Sequence, residues 1–529
     1  MQEREISAQM APVTLISRRN FGKLGLSALA ACSCGKFFLR AARGEERPAN
    51  RALERFVANV ESASDRPLPA GTRTPGAWDW FAITRNAPAR LRFEIPPAKK
   101  GEHVYLSVTN AIELWKSVRI EASLEKSARV IGVLDIHNSF AFQPHRMRLD
   151  WRDIPQMEKQ ALVLKISESS RGGAFYAFSP KASTGDNASL LPHIFVSEGN
   201  YSPRERFYKS FCSRNSLNPF GWMEGCVTEG LDDLALAGSP EASVALEKHL
   251  NFFIGTDGSL KFESSRSTPL DGGAFHSIED FLPFAAIARR RPGALCLKQA
   301  REWMLKNSSA RGRIYASTEG CYTYAYPMME MAKALDDPRL APLAADEVFW
   351  RADALFDSSG IYQRSASGKR AMRNWGRGVA WFLLGLARTI ACAENVQNEL
   401  EPSAKGRLMD LFERACAFAA PFQSVEGYWN CFMHEPETAS ETSATAGIAA
   451  AFALGARRGW LSPEYEKRAV KAREWLFSEC NITPDGHLCN VTQSNRLGED
   501  FQKGGYRVIM QAAEGLLAQL DAQSAKKHT

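Results

Sequence analysis

Four carboxylates stand where a helix is about to begin: Glu224 in "FGWMEGC", Asp280 in "SIEDFLP", Glu319 in "STEGCYTY" and Glu441 in "TASETSATAG". A carboxylic acid kept protonated by burial can give up a proton near neutrality, and an ionised one can take a proton from water. Together they do the work of cleaving a glycoside. The same positions have a structural use. Glu279–Asp280, and Glu441 after Ser440, are acids that suit the positive end of a helix dipole. Beside them stands "RNWGRGVAWFLLGL", residues 373–386, in which Trp375 and Trp381 flank Arg377. A helix N-terminus with an Arg beside it favours an anion. Arg364, Lys369, Arg370 and Arg373 crowd the loop before it, so an acidic sugar would suit the place; the other reading is solvated loop charges and two wall-packing indoles. Tyr322, Tyr324 and Trp222 either stack on sugar faces or fill core. His434 in "YWNCFMHEPE" either hydrogen-bonds substrate or is an incidental loop histidine. The sequence has no CxxC or other metal-ligand spacing, no Walker loop and no serine elbow, so neither metal nor cofactor is expected.

The elements that must position these groups follow from periodicity. From about residue 200 apolar positions recur at three and four, as in "PEASVALEKHLNFF", "GVAWFLLGLARTIACA" and "ETSATAGIAAAFALGA". Five times a Gly-bearing loop with apolar or aromatic residues follows a helix: "DGSLKF" at 257, "RGRIYA" at 311, "SGIYQR" at 359, "EGYWNC" at 426 and "DGHLCN" at 485. The spacing, about 50–65 residues, suits an αα-hairpin plus its loop, and each Gly can end the preceding helix in the left-handed conformation. Five loops imply about six hairpins. The expectation is an (α/α)6 barrel over 199–525, with apolar helices inside and the long loops gathered at one mouth; an open solenoid is the competing arrangement. Before it, "RLRFEIP", "HVYLSVT", "LWKSVRIEASL", "ARVIGVLDI", "ALVLKISE" and "GAFYAFS" alternate with period two. They predict an N-terminal β-sandwich of seven or eight strands over 76–198, there to bind carbohydrate or to dock on the helices. Residues 46–75, rich in Pro, Ala, Arg and Ser, read as a linker.

The chain has 529 residues, too many for one ordinary core. Its net charge of +7 is spread without a basic stripe, so nucleic acid is not an expected partner. Ser17-Arg18-Arg19-Asn20-Phe21 and Lys23, ahead of a modest apolar run, read as a twin-arginine export signal within residues 1–45. Leu29-Ala30-Ala31-Cys32 resembles a lipoprotein cleavage box, which would put lipid on Cys32 and tether a periplasmic protein to a membrane. Two of the eleven cysteines lie in that signal and the other nine are scattered, as small core residues are.

"GYWNCFMHEPETASETSATAGIAAAFALGARRGWLSPEYEKRAVKAREW" at 427–475 is similar to the unsaturated glucuronyl and rhamnogalacturonyl hydrolases, glycoside hydrolase families 88 and 105. "NWGRGVAWFLLGL" resembles their Trp-Gly-Arg-Gly-x-x-Trp segment, "TEGCYTYAYPMMEMAKALDDP" their Asp-Gly-x-Tyr-Met stretch and "SIEDFLPFAAIARR" their Asp-Asp segment. The resemblance runs from about 220 to 520 and implies a six-hairpin glycosidase without metal. Its substrates would be oligosaccharides with a 4,5-unsaturated uronic acid at the non-reducing end, hydrolysed by hydration of the vinyl ether. Carried over, one family Asp falls on Glu319 and the family's stacking Trp on Trp429. In the loop that holds the other Asp, here "GIYQRSAS", Arg364 stands at the family's His and Ser367 at its Asp, so that carboxylate is missing. A conventional exo-glycosidase such as a β-glucuronidase, a barrel that binds sugar without cutting it, and a polysaccharide lyase are the alternatives.

Overall fold

The computed structural model describes residues 53–524, apart from 97, 99, 171–172, 180–187, 198–200, 262, 264–274, 309–314 and 396–399. The export signal, Cys32 and the loop glycine at 312 lie outside the described residues. Residues 50–529 form one compact unit.

Over residues 53–197 the regular elements are mainly strands. The strands are β1 Glu54–Val57, β2 Asn59–Ser62, β3 Trp80–Ile83, β4 Ala89–Arg92, β5 His103–Thr109, β6 Leu114–Leu124, β7 Val130–Ser139, β8 Pro144–Leu149, β9 Leu162–Ser169, β10 Phe175–Phe178 and β11 His193–Ser197; helix α1, Ile154–Lys159, precedes β9. One sheet runs β1-β11-β5-β8, a second β2-β4-β9-β6-β7, and β10 pairs with β3. Leu106 and Val104 of the first sheet and Ile120, Leu164 and Ile136 of the second join one apolar cluster. The alternation seen in the sequence is the alternation of core-facing and outward residues. The stretch expected as linker carries β1 and β2, one on the edge of each sheet. Four-residue strands are too short for period two to stand out of a Pro- and Arg-rich background.

Helices follow: α2 Pro203–Phe211, α3 Trp222–Leu236, α4 Pro240–Phe253, α5 Pro283–Arg290, α6 Leu295–Asn307, α7 Tyr326–Leu335, α8 Leu340–Leu355, α9 Gly376–Ala393, α10 Pro402–Ala419, α11 Thr442–Arg457, α12 Pro463–Leu476, α13 Glu499–Lys503 and α14 Gln511–Ser524. Between them stand β12 Tyr315–Ser317, β13 Phe356–Asp357, β14 Gly360–Ala366, β15 Lys369–Arg373, β16 Val491–Thr492 and β17 Arg507–Val508. α3 packs on α5, α5 on α7, α7 on α9, α9 on α11, α11 on α14, and α14 on α3. α4, α8, α10 and α12 each pack on the helix before them, as α6 does on α5. Of the six cyclic helices, α9, α11 and α14 are buried nearly all round. Among the described residues no helix is long and apolar enough to cross a membrane.

The described loop glycines do not cap helices. α4 ends at an extended Ile254, and Gly258 (φ +77°) turns the chain four residues on, inside the bridge Ile254–Leu260; Gly486 (φ +93°) does the same inside Ile482–Leu488. Left-handed backbone is needed there for a tight turn rather than for a helix end. The strand region and the helices share a core that holds Phe142, Phe178 and Phe211, and in it Phe142 lies 6.3 Å from Phe252. Polar pins add to it: a buried Arg146–Asp485 pair at 2.6 Å, Gln143 Nε2 donating to Ile509 O at 2.9 Å, and Gln511 Nε2 donating to Phe142 O at 2.8 Å.

Candidate active site

Glu319 sits between β12 and a π-helical turn, Cys321–Ala325, that runs into α7. Its place depends on a close approach: a Cβ on Gly385 of α9 would lie 2.5 Å from the Cys321 carbonyl carbon, so only glycine lets that turn settle on α9. The turn has no side-chain cap, so Glu319 is not occupied by backbone amides. Gln363 Nε2, from β14, donates to its Oε1 at 3.3 Å. Burial, and next the negative charge of Glu279, push its pKa up to about 8, against the pull of Arg377, Arg364 and Arg496. At neutral pH Glu319 therefore holds its proton.

Glu279 is the neighbouring acid, and the sequence reading had chosen Asp280 instead. Ser277 caps the turn Ile278–Asp280, with its Oγ accepting from Glu279 N at 3.2 Å. Asp280 answers reciprocally: its Oδ2 accepts from His276 N at 2.7 Å and Ser277 N at 3.0 Å. In this capping box the acid at the third helical position is engaged by backbone, and the acid at the second is left to face the mouth. Ser-Ile-Glu-Asp was the available signal.

Glu279 and Glu319 both line two cavities. One, of about 360 Å³, is walled by Trp303, Tyr315, Tyr324, Trp350 and Arg351. The other is a slot of about 40 Å³ between Trp222, Trp375, Trp381, Arg377 and Arg496, with Trp115 and Phe140 from the strand region. The indoles form an edge-to-face series: Trp375 and Trp222 each lie 5.6 Å from Trp381 at 75°. Arg377 stacks over Trp375 at 5.0 Å, and its Nη2 donates to Thr492 O at 2.5 Å and Gln493 O at 3.1 Å, fastening the loop that carries Arg496.

Of the residues singled out from sequence, Glu319, Trp222, Tyr324, Trp375, Arg377 and Trp381 come together here, and Arg364 on β14 lies within electrostatic reach. The rest go elsewhere. Glu441 caps α11, taking Ala444 N at 2.5 Å, Ser443 Oγ at 2.7 Å and Thr492 N at 2.9 Å, so that both its oxygens are engaged, and it lines neither cavity. Glu224, fully buried, holds Asn218 N at 2.8 Å and His249 Nδ1 at 2.7 Å. Trp429 is buried in core, its Nε1 donating to Ala419 O at 2.9 Å. Tyr322 is buried as well, donating to Gln519 Oε1 at 3.0 Å and stacked on Tyr326. His434 lies 3.5 Å from Glu435 and lines neither cavity. Ser367 is at the exposed turn between β14 and β15, with φ +48°, so an acid at that position would point away from the mouth. Sequence reasoning missed Glu279, Arg496, Trp303, Trp350 and Trp115. Among the described residues, no cluster of His, Cys, Asp and Glu could hold a metal ion.

Residues 321–516 match the model of Glycosyl Hydrolase Family 88. That span holds Trp375, Arg377, Trp381 and Arg496, while Glu279, Glu319 and the strand region precede it. The structure is similar to that of a glycoside hydrolase from family 105 of C. acetobutylicum, with TM-score 0.50, 16% identity and 61% of this chain against 99% of that one. A possible member of the same family from Klebsiella pneumoniae gives TM-score 0.51, 16% identity, and 59% of this chain against 83% of that one. At such identity the likeness speaks for the fold, and it leaves over a third of this chain without a counterpart. Comparison with curated proteins gives no match.

Proposed function

We propose that this chain is a glycoside hydrolase acting on oligosaccharides that end in a uronic acid, and that the cyclic helices form an (α/α)6 barrel whose mouth is the active site, with the strand region packed beside it as a β-sandwich. One observation carries this reading: two carboxyls, Glu279 and Glu319, the second with its pKa raised by burial and by the charge of the first, stand where two indole-walled cavities meet, among three arginines. Indole faces suit sugar rings, and guanidinium suits a uronate.

On a 4,5-unsaturated uronyl end, Glu319 would give its proton to C4 of the vinyl ether. Glu279 would take a proton from the water that adds at C5. The C5 hemiketal becomes a ketone as the ring C5–O bond opens, and the C1 hemiacetal so exposed expels the sugar alcohol. The family Asp missing at Ser367 is then not required, because the second carboxyl comes from the turn before α5. The same pair would serve ordinary glycoside cleavage on a saturated glucuronide, with Glu319 as acid and Glu279 as base or nucleophile. Assaying a 4,5-unsaturated disaccharide against a saturated glucuronide separates the two, since only the first loses its alkene absorbance. The proposal fails if Glu319→Gln keeps wild-type turnover.

Export by the twin-arginine route and lipidation at Cys32 belong to the same proposal. Their support is the "SRRNFGK" and "LAAC" stretches. Fusing residues 1–45 to a reporter that matures only after export, with Arg18→Lys/Arg19→Lys and Cys32→Ser variants, tests both.

A further inference from the structure

The strand region reaches into the slot. Trp115, at the start of β6, lies 5.6 Å from Phe140; Phe140 lies 6.2 Å from Trp222, which leads to Trp381 and Trp375. One aromatic wall thus crosses from sheet to helices. The end of β7 and the loop after it are pinned to the segments on either side of Arg496: Tyr506 donates to Asp135 O at 3.0 Å and packs on His137 at 4.9 Å, and Gln493 Nε2 donates to Gln143 Oε1 at 3.2 Å. Trp115 is therefore held by both parts of the chain.

Arg496 lies over Trp115 at 4.5 Å. Its guanidinium makes no ion pair or side-chain hydrogen bond among the described residues, and its charge acts on Glu319. Arg377, lining the slot from the other side, is buried and its Nε has no acceptor. Glu113 lines the slot too, with Glu279 and Glu319. A water needs roughly 10–15 Å³ of such volume. The slot, about 40 Å³, takes about three waters' worth, the size of a carboxylate rather than of a sugar ring. The 360 Å³ cavity on the other side of the acid pair is large enough for a ring.

Resting on the hydrolase reading above, we infer that the slot is the subsite that reads the carboxylate of the terminal sugar, and that Trp115 and Arg496 are its specificity-determining residues. The strand region is on this account a wall of the active site. Trp115 holds the guanidinium plane by cation–π stacking, and Arg496 offers its unused N–H groups to the uronate. Phe and Tyr at 115 would keep part of the platform.

The test uses the full chain and two probes, a 4,5-unsaturated uronyl disaccharide and its methyl ester, which differ in charge and by one methyl group at that carboxyl. Turnover is followed by alkene absorbance and binding by calorimetry, for wild type, Trp115→Ala, Trp115→Phe, Arg496→Gln and the distant control Trp151→Ala. Trp115 is 38% exposed and Arg496 lies on the surface, so these variants should melt near wild type. The expected result is that Trp115→Ala and Arg496→Gln raise KM for the acid at least tenfold with kcat within threefold. KM for the ester should not move, and Trp115→Phe should lie between. An unchanged acid-to-ester preference in both variants overturns the inference and leaves the hydrolase reading intact. A wild type that neither binds nor turns over the acid overturns both.

Discussion

The two ends of the helical cycle are built from the same six helices and treat charge in opposite ways. The foot, lined by the last turns of α3, α5, α7, α9, α11 and α14, holds the larger cavity, about 930 Å³. Yet its charges answer one another. Arg289 donates to Glu229 and Asp232, each at 2.6 Å, and to Glu330 at 2.7 Å; Arg388 donates to Asp233 and to Gln519, each at 2.9 Å. Tyr326 closes the set by donating to Glu229. At the mouth two carboxyls face each other, Glu319 against Glu279, and the Arg496 guanidinium, stacked on Trp115, makes no ion pair among the described residues. Cavity size alone would have chosen the foot. Unanswered charge chooses the mouth, because a folded chain tolerates such groups where a ligand or a reaction uses them.

The sharpest way to break this contrast is at the mouth. Glu319→Gln should lower turnover of a uronyl disaccharide by about a thousandfold, within the range of general acid catalysis, while the protein stays folded. It should also be more stable than wild type at alkaline pH. The Glu319 pKa rises from its ordinary 4.5 to about 8 on folding, so the unfolded chain gives up this proton first as pH climbs. Wild-type stability from this group is intact at low pH, falls between about 4.5 and 8, and stays down above that. The Gln variant escapes the loss, and denaturant melts at pH 6 and pH 9 will show the gap widening. No gap at pH 9 would mean the carboxyl is not strained.

At the foot the same kind of change should do the reverse. Arg388→Met leaves Asp233 buried without its cation, which costs about 3–5 kcal/mol of stability. Activity per folded molecule should be unchanged. If turnover falls with stability preserved, the foot is functional after all. Smaller again is Glu441→Ala, which removes the α11 cap and costs about 1–2 kcal/mol without altering the pH profile. The mildest effect concerns that profile. Activity needs Glu319 protonated, so it should fall as pH rises through about 8. In Glu279→Gln the negative neighbour is gone, the Glu319 pKa drops, and in the residual activity that limb should move to lower pH by about one unit. A limb that stays put would separate the two carboxyls.

Much of the helical part was legible because it is local. Heptad-like spacing marked each long helix, and the Trp-Gly-Arg-Gly start of α9 announced groups that now line the slot. Glu319 was legible because it stands at a helix start and at the place of an Asp in the family that the sequence resembles. Asp280 and Glu441 misled for the complementary reason: a helix-start acid is drawn to free amides, and the Ser-x-x-Asp box and the Glu-Thr-Ser-Ala start already said which amides. Trp429 and Tyr322 show that an aromatic at a helix end carries no mark of which way it faces. Exposure is settled by neighbours distant in sequence.

The residue order alone determined the strand and helix segments, the apolar faces that pack, the cap chemistry and the acid that no cap consumes, since all of these depend on residues within a turn or two of each other. Which member of the Glu279–Asp280 pair meets Glu319, and that a strand-borne Trp115 lies under Arg496 at the same mouth, only the tertiary structure decided. Those contacts come from docking two sheets onto a cycle of helices, and docking is set by shape and burial summed over the whole interface rather than by any local period.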